Sequence, residues 1–348
     1  MEYIGIENFR SHEKVSFGFD GAKIVAFLGK NGIGKTNILE AISIIDGSKG
    51  LRGAKINEMK NSSAAEFKIC VDINGDRIIL ESLKSRKNFF LNGSKLSTFF
   101  EISQRVNTIW TTPELEYLFF SSQKTRRDFF DKITFCFFNN HYSLLTKCSD
   151  LLSQRLKILT ENIQNGFLAL NEIENQIAIL IEKILNNRLG AIKSVNDKID
   201  ILQCDFGSFK ILPSVKYLLE GFDVEKISKI LFDKRKADSF SGINTFSHNK
   251  INIDIVFENN LDGSQLSNGQ QKFVLINICL AFAKSLRSAF PERFILLLLD
   301  DFLSKLDYKN SQNLLSILEN WSEGQVFITS TSGLSAKEDD MRYKIFHL

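Results

Sequence analysis

Proline is scarce in this sequence. Only Pro113, Pro213 and Pro291 occur in 348 residues, and none lies between the first two. Because proline removes a backbone donor and breaks helices, the stretch it avoids is open to long helix. Cysteine is also sparse: five residues, at 70, 136, 148, 204 and 279, odd in number and never spaced C-x-x-C. That argues against a disulfide framework or a zinc site and for reduced thiols, hence a cytoplasmic protein. No apolar run exceeds six residues, as at Phe294–Leu299, against the ~18 that a membrane span needs. The N-terminus lacks the basic-then-apolar pattern of a secretory signal. An excess of one charge is missing too: 44 basic and 41 acidic residues leave +3. A polyanionic partner must therefore be held by local clusters rather than by bulk attraction. What remains, 43% hydrophobic and 24% charged, is ordinary globular composition, long enough for about two domains with a real core.

The proline-free middle carries helical periodicity. Leu152, Leu156, Leu159, Ile163, Phe167, Leu170, Ile173, Ile177, Leu180 and Ile184 recur in steps of three and four, continued by Ile192, Val195 and Ile199. This is a seam of packed helices or the core stripe of a plain bundle. Gly166 and the Asn186-Asn187…Gly190 stretch offer breaks, so an antiparallel hairpin is expected. The flanks carry β patterns instead. Short runs precede residue 28, and residues 66–82 alternate around Asn74-Gly75-Asp76 as a hairpin would. Buried-strand runs at 294–299 and 325–329 enclose a helical stretch at 308–321, which suggests a parallel sheet covered by helices. Of the aromatics, 31 are Phe against 6 Tyr and 2 Trp, and these read as core filler.

Residues 29–36, Gly29-Lys30-Asn31-Gly32-Ile33-Gly34-Lys35-Thr36, match G-x-x-x-x-G-K-[ST] without a mismatch. An apolar strand precedes them and an amphipathic helix follows from Asn37, the context a P-loop needs. Glycines let successive N–H groups turn toward phosphate oxygens, and the helix adds its positive end. Lys35 would reach the β- and γ-phosphates of ATP, and Thr36 would ligate Mg²⁺. Phe294–Leu299 then Asp300-Asp301 supplies the carboxylates: Asp300 for the metal, Asp301 to orient or deprotonate the attacking water. A third motif, Leu266-Ser267-Asn268-Gly269-Gln270-Gln271-Lys272, opens a strongly apolar helix. A second phosphate-facing helix start makes best sense when it caps the γ-phosphate of a facing subunit. That implies an ATP-dependent homodimer with Ser267, Asn268, Gly269 and Gln270 acting in trans.

With these residues the sequence resembles the RecF family of ABC-type ATPases, relatives of the SMC proteins, over nearly its whole length. The resemblance rests on Glu7-Asn8-Phe9-Arg10-Ser11-His12, the P-loop with Asn37 and Leu39-Glu40-Ala41, and Thr112-Pro113-Glu114. It rests further on Thr125-Arg126-Arg127-Asp128-Phe129-Phe130-Asp131, Leu298-Leu299-Asp300-Asp301, Ser304-x-Leu306-Asp307 and Gln325–Thr331. It implies an α/β ATPase head with a mixed sheet and an inserted α-helical arm: head at 1–112 and 246–348, arm at 113–245. It adds Arg10 to the ATP contacts. The implied function is ATP-gated DNA binding in recombinational repair and replication restart. Single-stranded gaps and duplex junctions would be recognised, with RecO- and RecR-like mediators, recombinase loading and SOS induction. Four basic runs are compatible with phosphate contacts: Lys49, Arg52, Lys55 and Lys60; Lys84, Arg86 and Lys87; Lys124, Arg126 and Arg127; Lys234, Arg235 and Lys236. Each is equally readable as solvated surface, and Arg126 and Arg127 also as internal salt bridges at the arm base.

Departures from the family pattern are specific. Ser247-His248-Asn249-Lys250 stands where the family has Gly-Pro-His-Arg, and His248 reads as a surface loop residue. Asn268 replaces a common glycine, no glutamine marks the arm junction, and Asp301 stands where faster ABC ATPases carry glutamate. Together they suit slow, DNA-stimulated hydrolysis used as a switch. A transporter-type ABC subunit is disfavoured by the long arm, an SMC-like tether by the arm's shortness, and a plain helical scaffold by the intact P-loop.

Overall fold

Continuous apolar runs and alternating runs sort into two different sheets. The computed structural model describes residues 1–83, 86–113, 115, 122–161, 166–199, 209–213, 223–257, 265–304, 306, 308–331, 334 and 339–348. Lys84, Glu114, Ile163, Cys204 and Asp307 lie outside them. Two compact units result, one of residues 1–117 with 267–348, the other of 118–266.

In the first unit, β1 (Tyr3–Phe9) and β2 (His12–Gly18) form a hairpin, then β3 (Ile24–Leu28) leads to α1 (Lys35–Ser43). A short helix α2 (Ile56–Met59) precedes β4 (Lys68–Ile73), β5 (Asp76–Leu83), β6 (Arg86–Leu91) and β7 (Ser94–Lys95). Helix α3 (Phe100–Ser103) and β8 (Val106–Thr111) close this part. The second unit holds α4 (Gln123–Phe137), α5 (His141–Thr160), α6 (Gly166–Asn196), β9 (Phe209–Pro213), α7 (Val224–Ser241) and β10 (Ile253–Phe257). The chain then returns to the first unit as α8 (Asn268–Ala289), β11 (Phe294–Leu299), α9 (Tyr308–Asn320), β12 (Gln325–Ser330) and β13 (Tyr343–His347).

The mixture of strand directions is divided between sheets. An antiparallel sheet runs β2-β1-β4-β5-β6-β7, and a parallel sheet runs β13-β3-β12-β11-β8. Strand β4 alternates half-buried and buried residues, as a sheet with one core face requires, and β3 is buried throughout, as a parallel strand covered on both faces requires. The β4–β5 turn puts Asn74 and Gly75 at φ 54° and 84°, the left-handed pair that a two-residue hairpin favours. Ile4, Ile6 and Phe9 of β1 share a core with Ile38, Leu39 and Ile42 of α1 and with Phe27, Leu296 and Phe327 of the parallel sheet. Truncating one of these phenylalanines to alanine costs about 3–5 kcal/mol. The P-loop helix is thereby fixed to both sheets.

The second unit departs from the sequence reading in four places. Helix α6 passes through Asn186, Asn187 and Gly190 without a break. Gly190 answers to space instead, because a Cβ there would lie 2.9 Å from the Phe138 ring. The return to the head falls at 267, not 246. Segment 246–266 stays with the arm because β10 pairs antiparallel with β9, so the arm also contains strands. His248 is buried, not a surface loop residue. Its carbonyl accepts from Arg188 Nη1 at 3.0 Å, and Arg188 grips Asp131 with two bonds of 2.7 and 2.9 Å.

Candidate nucleotide site

The P-loop curls because its glycines occupy backbone regions other residues avoid. Gly32 and Gly34 sit at φ 84° and 108°, and a Cβ on Gly34 would come within 2.7 Å of the His12 ring. His12 Nε2 lies 3.1 Å from the Gly34 carbonyl, and Asn37 Nδ2 donates to Ser11 Oγ at 2.8 Å. The tip of the β1–β2 hairpin thus rests on the loop. Lys35 Nζ donates to the carbonyls of Gly29 (2.7 Å) and Lys30 (2.8 Å), its charge folded over the loop.

Residues 264 apart in sequence meet next. Thr36 Oγ1 donates to Asp300, 2.9 Å from Oδ1 and 3.0 Å from Oδ2. Thr329 Oγ1 donates to Asp300 Oδ1 at 2.6 Å and accepts from the Asp301 N–H at 2.8 Å. Burial pushes the Asp300 carboxyl above its ordinary range, with the Thr329 and Thr36 hydroxyls opposing and Asp301 adding a second push upward. Asp301 itself has φ 50°. Its carbonyl accepts from Lys272 Nζ at 2.9 Å, and the same ammonium donates to the Ser304 carbonyl at 3.1 Å. Lys272 lies on α8, whose start is the third sequence motif. There Ser267 Oγ accepts from the Gln270 N–H at 3.3 Å while Gln270 Oε1 accepts from the Ser267 N–H at 2.9 Å, a reciprocal cap. Ser267 and Asn268 are exposed, and Gly269 and Gln270 partly so.

The chemistry of the donors fits Mg²⁺ and a triphosphate. Thr36 and Asp300 offer hard oxygens side by side, suited to Mg²⁺, while Lys35 and the start of α1 offer positive charge on the same side of the loop.

Other candidates separate. Arg10 bonds Glu40 twice, at 2.9 and 2.6 Å, beside α1, so its guanidinium is committed to the buried carboxylate. Arg52 also donates to Glu40, at 3.1 Å, and acts on Asp300 by charge. It therefore belongs to the surroundings of the P-loop. Lys87 Nζ reaches the Ser48 carbonyl at 3.0 Å, which brings the run around 86–87 to the exposed Lys49 and Lys55 loop. Arg126 pairs with Asp254 at 3.7 Å, and the buried Arg127 donates to Asn252 at 3.1 Å. Burial, then the Arg188 charge, lowers the Arg127 pKa. These two form internal contacts of the arm. Arg235 is likewise drawn to Glu174, at 2.6 Å. Two residues escaped the sequence reading as site members, Thr329 and Lys272. Both lie in stretches the sequence singles out, Lys272 in Leu266–Lys272 and Thr329 in Gln325–Thr331, but neither residue carried a role of its own there.

A P-loop at the end of one parallel strand, an aspartate pair at the end of another and a capped helix start beyond them define an ABC-type ATPase head. The family model of the RecF/RecN/SMC N terminal domain matches residues 1–348. The DNA replication and repair protein RecF of Rickettsia prowazekii (strain Madrid E) is 30% identical over 353 residues, covering 95% of this chain and 94% of its own. That of Rickettsia akari (strain Hartford) is 30% identical over 356 residues, with the same coverages. Among solved structures, the recombination mediator protein RecF-ATPrS in the RecFOR pathway shares the fold at TM-score 0.82 and 22% identity, over 100% of this chain and 95% of that one. The chain belongs to the RecF family of DNA replication and repair proteins.

Proposed function

We propose that the protein is an ATP-gated dimer that binds DNA at single-stranded gaps and duplex junctions and assists recombinase loading in recombinational repair. The observation that carries the nucleotide half is the closure of Thr36 on Asp300, 2.9 Å apart across the whole chain. Lys35 would transfer its donors from the loop carbonyls to phosphate oxygens. Thr36 and Asp300 would hold Mg²⁺, which neutralises phosphate charge when bound. Asp301 would orient the attacking water, and its short side chain in place of glutamate favours slow, switch-like turnover. The exposed start of α8, with Ser267 to Gln270, would meet the partner's nucleotide. Membership of the RecF family supports DNA as ligand, and the RecFOR context of the similar RecF structures supports RecO- and RecR-like mediators.

Lys49, Lys55 and Lys87 are the DNA contacts this reading favours, since Arg126 and Arg127 have internal partners. The test is fluorescence anisotropy of gapped and fully duplex DNA at moderate salt, with and without ATP. Binding should strengthen with ATP, fall steeply as salt rises and lose its ATP response in Lys35→Met. DNA binding indifferent to ATP would falsify the gating.

A further inference from the structure

We infer that Thr329 is a positioning residue for both aspartates of the nucleotide site, aiming the Asp300 carboxylate with its hydroxyl and fixing the backbone of Asp301. The inference deepens the nucleotide reading above and rests on it.

The sheet order places Thr329 there. Strand β12 lies between β3, which runs into the P-loop, and β11, which runs into Asp300. All three are parallel, with Thr329 opposite Phe27 and Ile328 opposite Leu299. The end of β12 is therefore wedged between the two halves of the site. Thr329 is 1% exposed, and it holds three successive residues of the β11 exit. Its hydroxyl donates to Asp300 Oδ1 and accepts from the Asp301 N–H, and its carbonyl accepts from the Phe302 N–H at 2.9 Å. The polarity is forced: the amide can only donate and an ionised carboxylate can only accept, so one hydroxyl proton and one lone pair meet both needs. A hydroxyl–carboxylate bond of 2.6 Å is of the short, charge-assisted kind. Asp301 sits at φ 50°, in the left-handed region that aspartate tolerates better than most residues, and the hydroxyl fixes its N–H there.

The other donor to Asp300 is Thr36, the hydroxyl assigned to Mg²⁺. Its lone pairs would meet the metal while its proton still goes to the carboxylate. Thr329 holds the same carboxylate from the neighbouring strand without itself being a metal ligand.

The test uses the full chain as Thr329→Val, Thr329→Ala and Thr329→Ser, with folding checked by circular dichroism. Mn²⁺ affinity in the presence of ATP is read by electron paramagnetic resonance, nucleotide binding in EDTA by fluorescence of a labelled ATP, and hydrolysis under single turnover. Val and Ala should weaken Mn²⁺ binding and hydrolysis by about 10- to 100-fold, as loss of an outer-shell hydrogen bond does. Nucleotide binding in EDTA should not change, and Ser should restore both readouts. Wild-type Mn²⁺ affinity in either Val or Ala overturns the inference. So does a Ser variant as impaired as Ala, since packing rather than the hydroxyl would then matter. A wild-type protein that binds no Mn²⁺–nucleotide overturns the nucleotide reading, and this inference with it.

Discussion

Asp300 is a carboxylate kept in a place where burial works against its charge. A group whose folded pKa is raised contributes stability below its unfolded pKa and loses it as pH rises through the folded value. Near neutral pH the ionised Asp300 therefore costs stability. Asp300→Asn removes the charge while keeping an acceptor for the Thr329 hydroxyl. The expected outcome is a nucleotide-free protein with a higher Tm by calorimetry that has lost Mg²⁺-dependent ATP binding. A lower Tm would mean that the carboxylate holds the site together rather than straining it. The arginines make the opposite point at this scale. Arg10 reads in sequence as an ATP contact and Arg52 as part of a basic run, yet both bond the buried Glu40.

At the scale of elements, the arm is pinned by buried charge as well as by apolar packing. Arg155 is fully buried, with Glu174 at 2.8 Å and Asp238 at 2.6 Å, and Arg188, His141 and Asp131 form a second cluster that ties α4, α5 and α6 together. Burial pushes the Asp131 carboxyl up, but His141 and Arg188 prevail and hold it at about 2. Its contribution is present above the ordinary value of 3.8 and is lost as pH falls toward 2. Removing one partner of such a pair costs about 3–5 kcal/mol, so Arg188→Met should show that loss in urea unfolding of the arm at pH 7. An unchanged midpoint would make the cluster ornamental. His248 acts earlier on acidification. Burial, then the Arg188 charge, lowers its pKa from 6.5 to about 4. The unfolded chain takes up a proton in this window and the folded one does not, so stability drains as pH falls from 6.5 to 4. His248→Gln should flatten the pH dependence of arm hydrogen exchange there, by at most about 1.4 kcal/mol per pH unit.

For the whole molecule, the proposed dimer turns on the start of α8. Ser267 is exposed and its hydroxyl already caps α8, so Ser267→Arg should leave the fold and the P-loop intact while blocking a facing nucleotide. Such a variant should bind ATP and sediment as a monomer under conditions where the proposed wild-type dimer would form. A dimer of Ser267→Arg with ATP sinks the sandwich arrangement. The near-neutral charge fits the proposed function: with +3 overall, attraction to DNA would come from placed lysines, and a dimer would double each cluster.

The sequence by itself determined whatever depends on neighbours along the chain. Glycine spacing makes the P-loop, Ser267 and Gln270 make a cap three residues apart, and Asn74-Gly75 makes a hairpin turn. Asn92-Gly93, φ 49° and 84° between β6 and β7, carries the same signal. Continuous apolar runs identified the parallel strands β3, β11 and β12, because strands covered on both faces have no polar side, whereas β8 (VNTIWT) and β13 (YKIFH) carry no such run. Tertiary structure alone decided the partners. Gly190 resembles a helix breaker until Phe138 is seen against it, and residues 246–266 resemble head until β10 pairs with β9. Thr329 lies in the Gln325–Thr331 stretch, but its contacts arise because the chain threads β12 between β3 and β11, where a hydroxyl at the strand end meets two aspartates. Local pattern fixes backbone conformation over a few residues, whereas a hydrogen bond between Thr36 and Asp300 exists only once the strands between them have chosen their order.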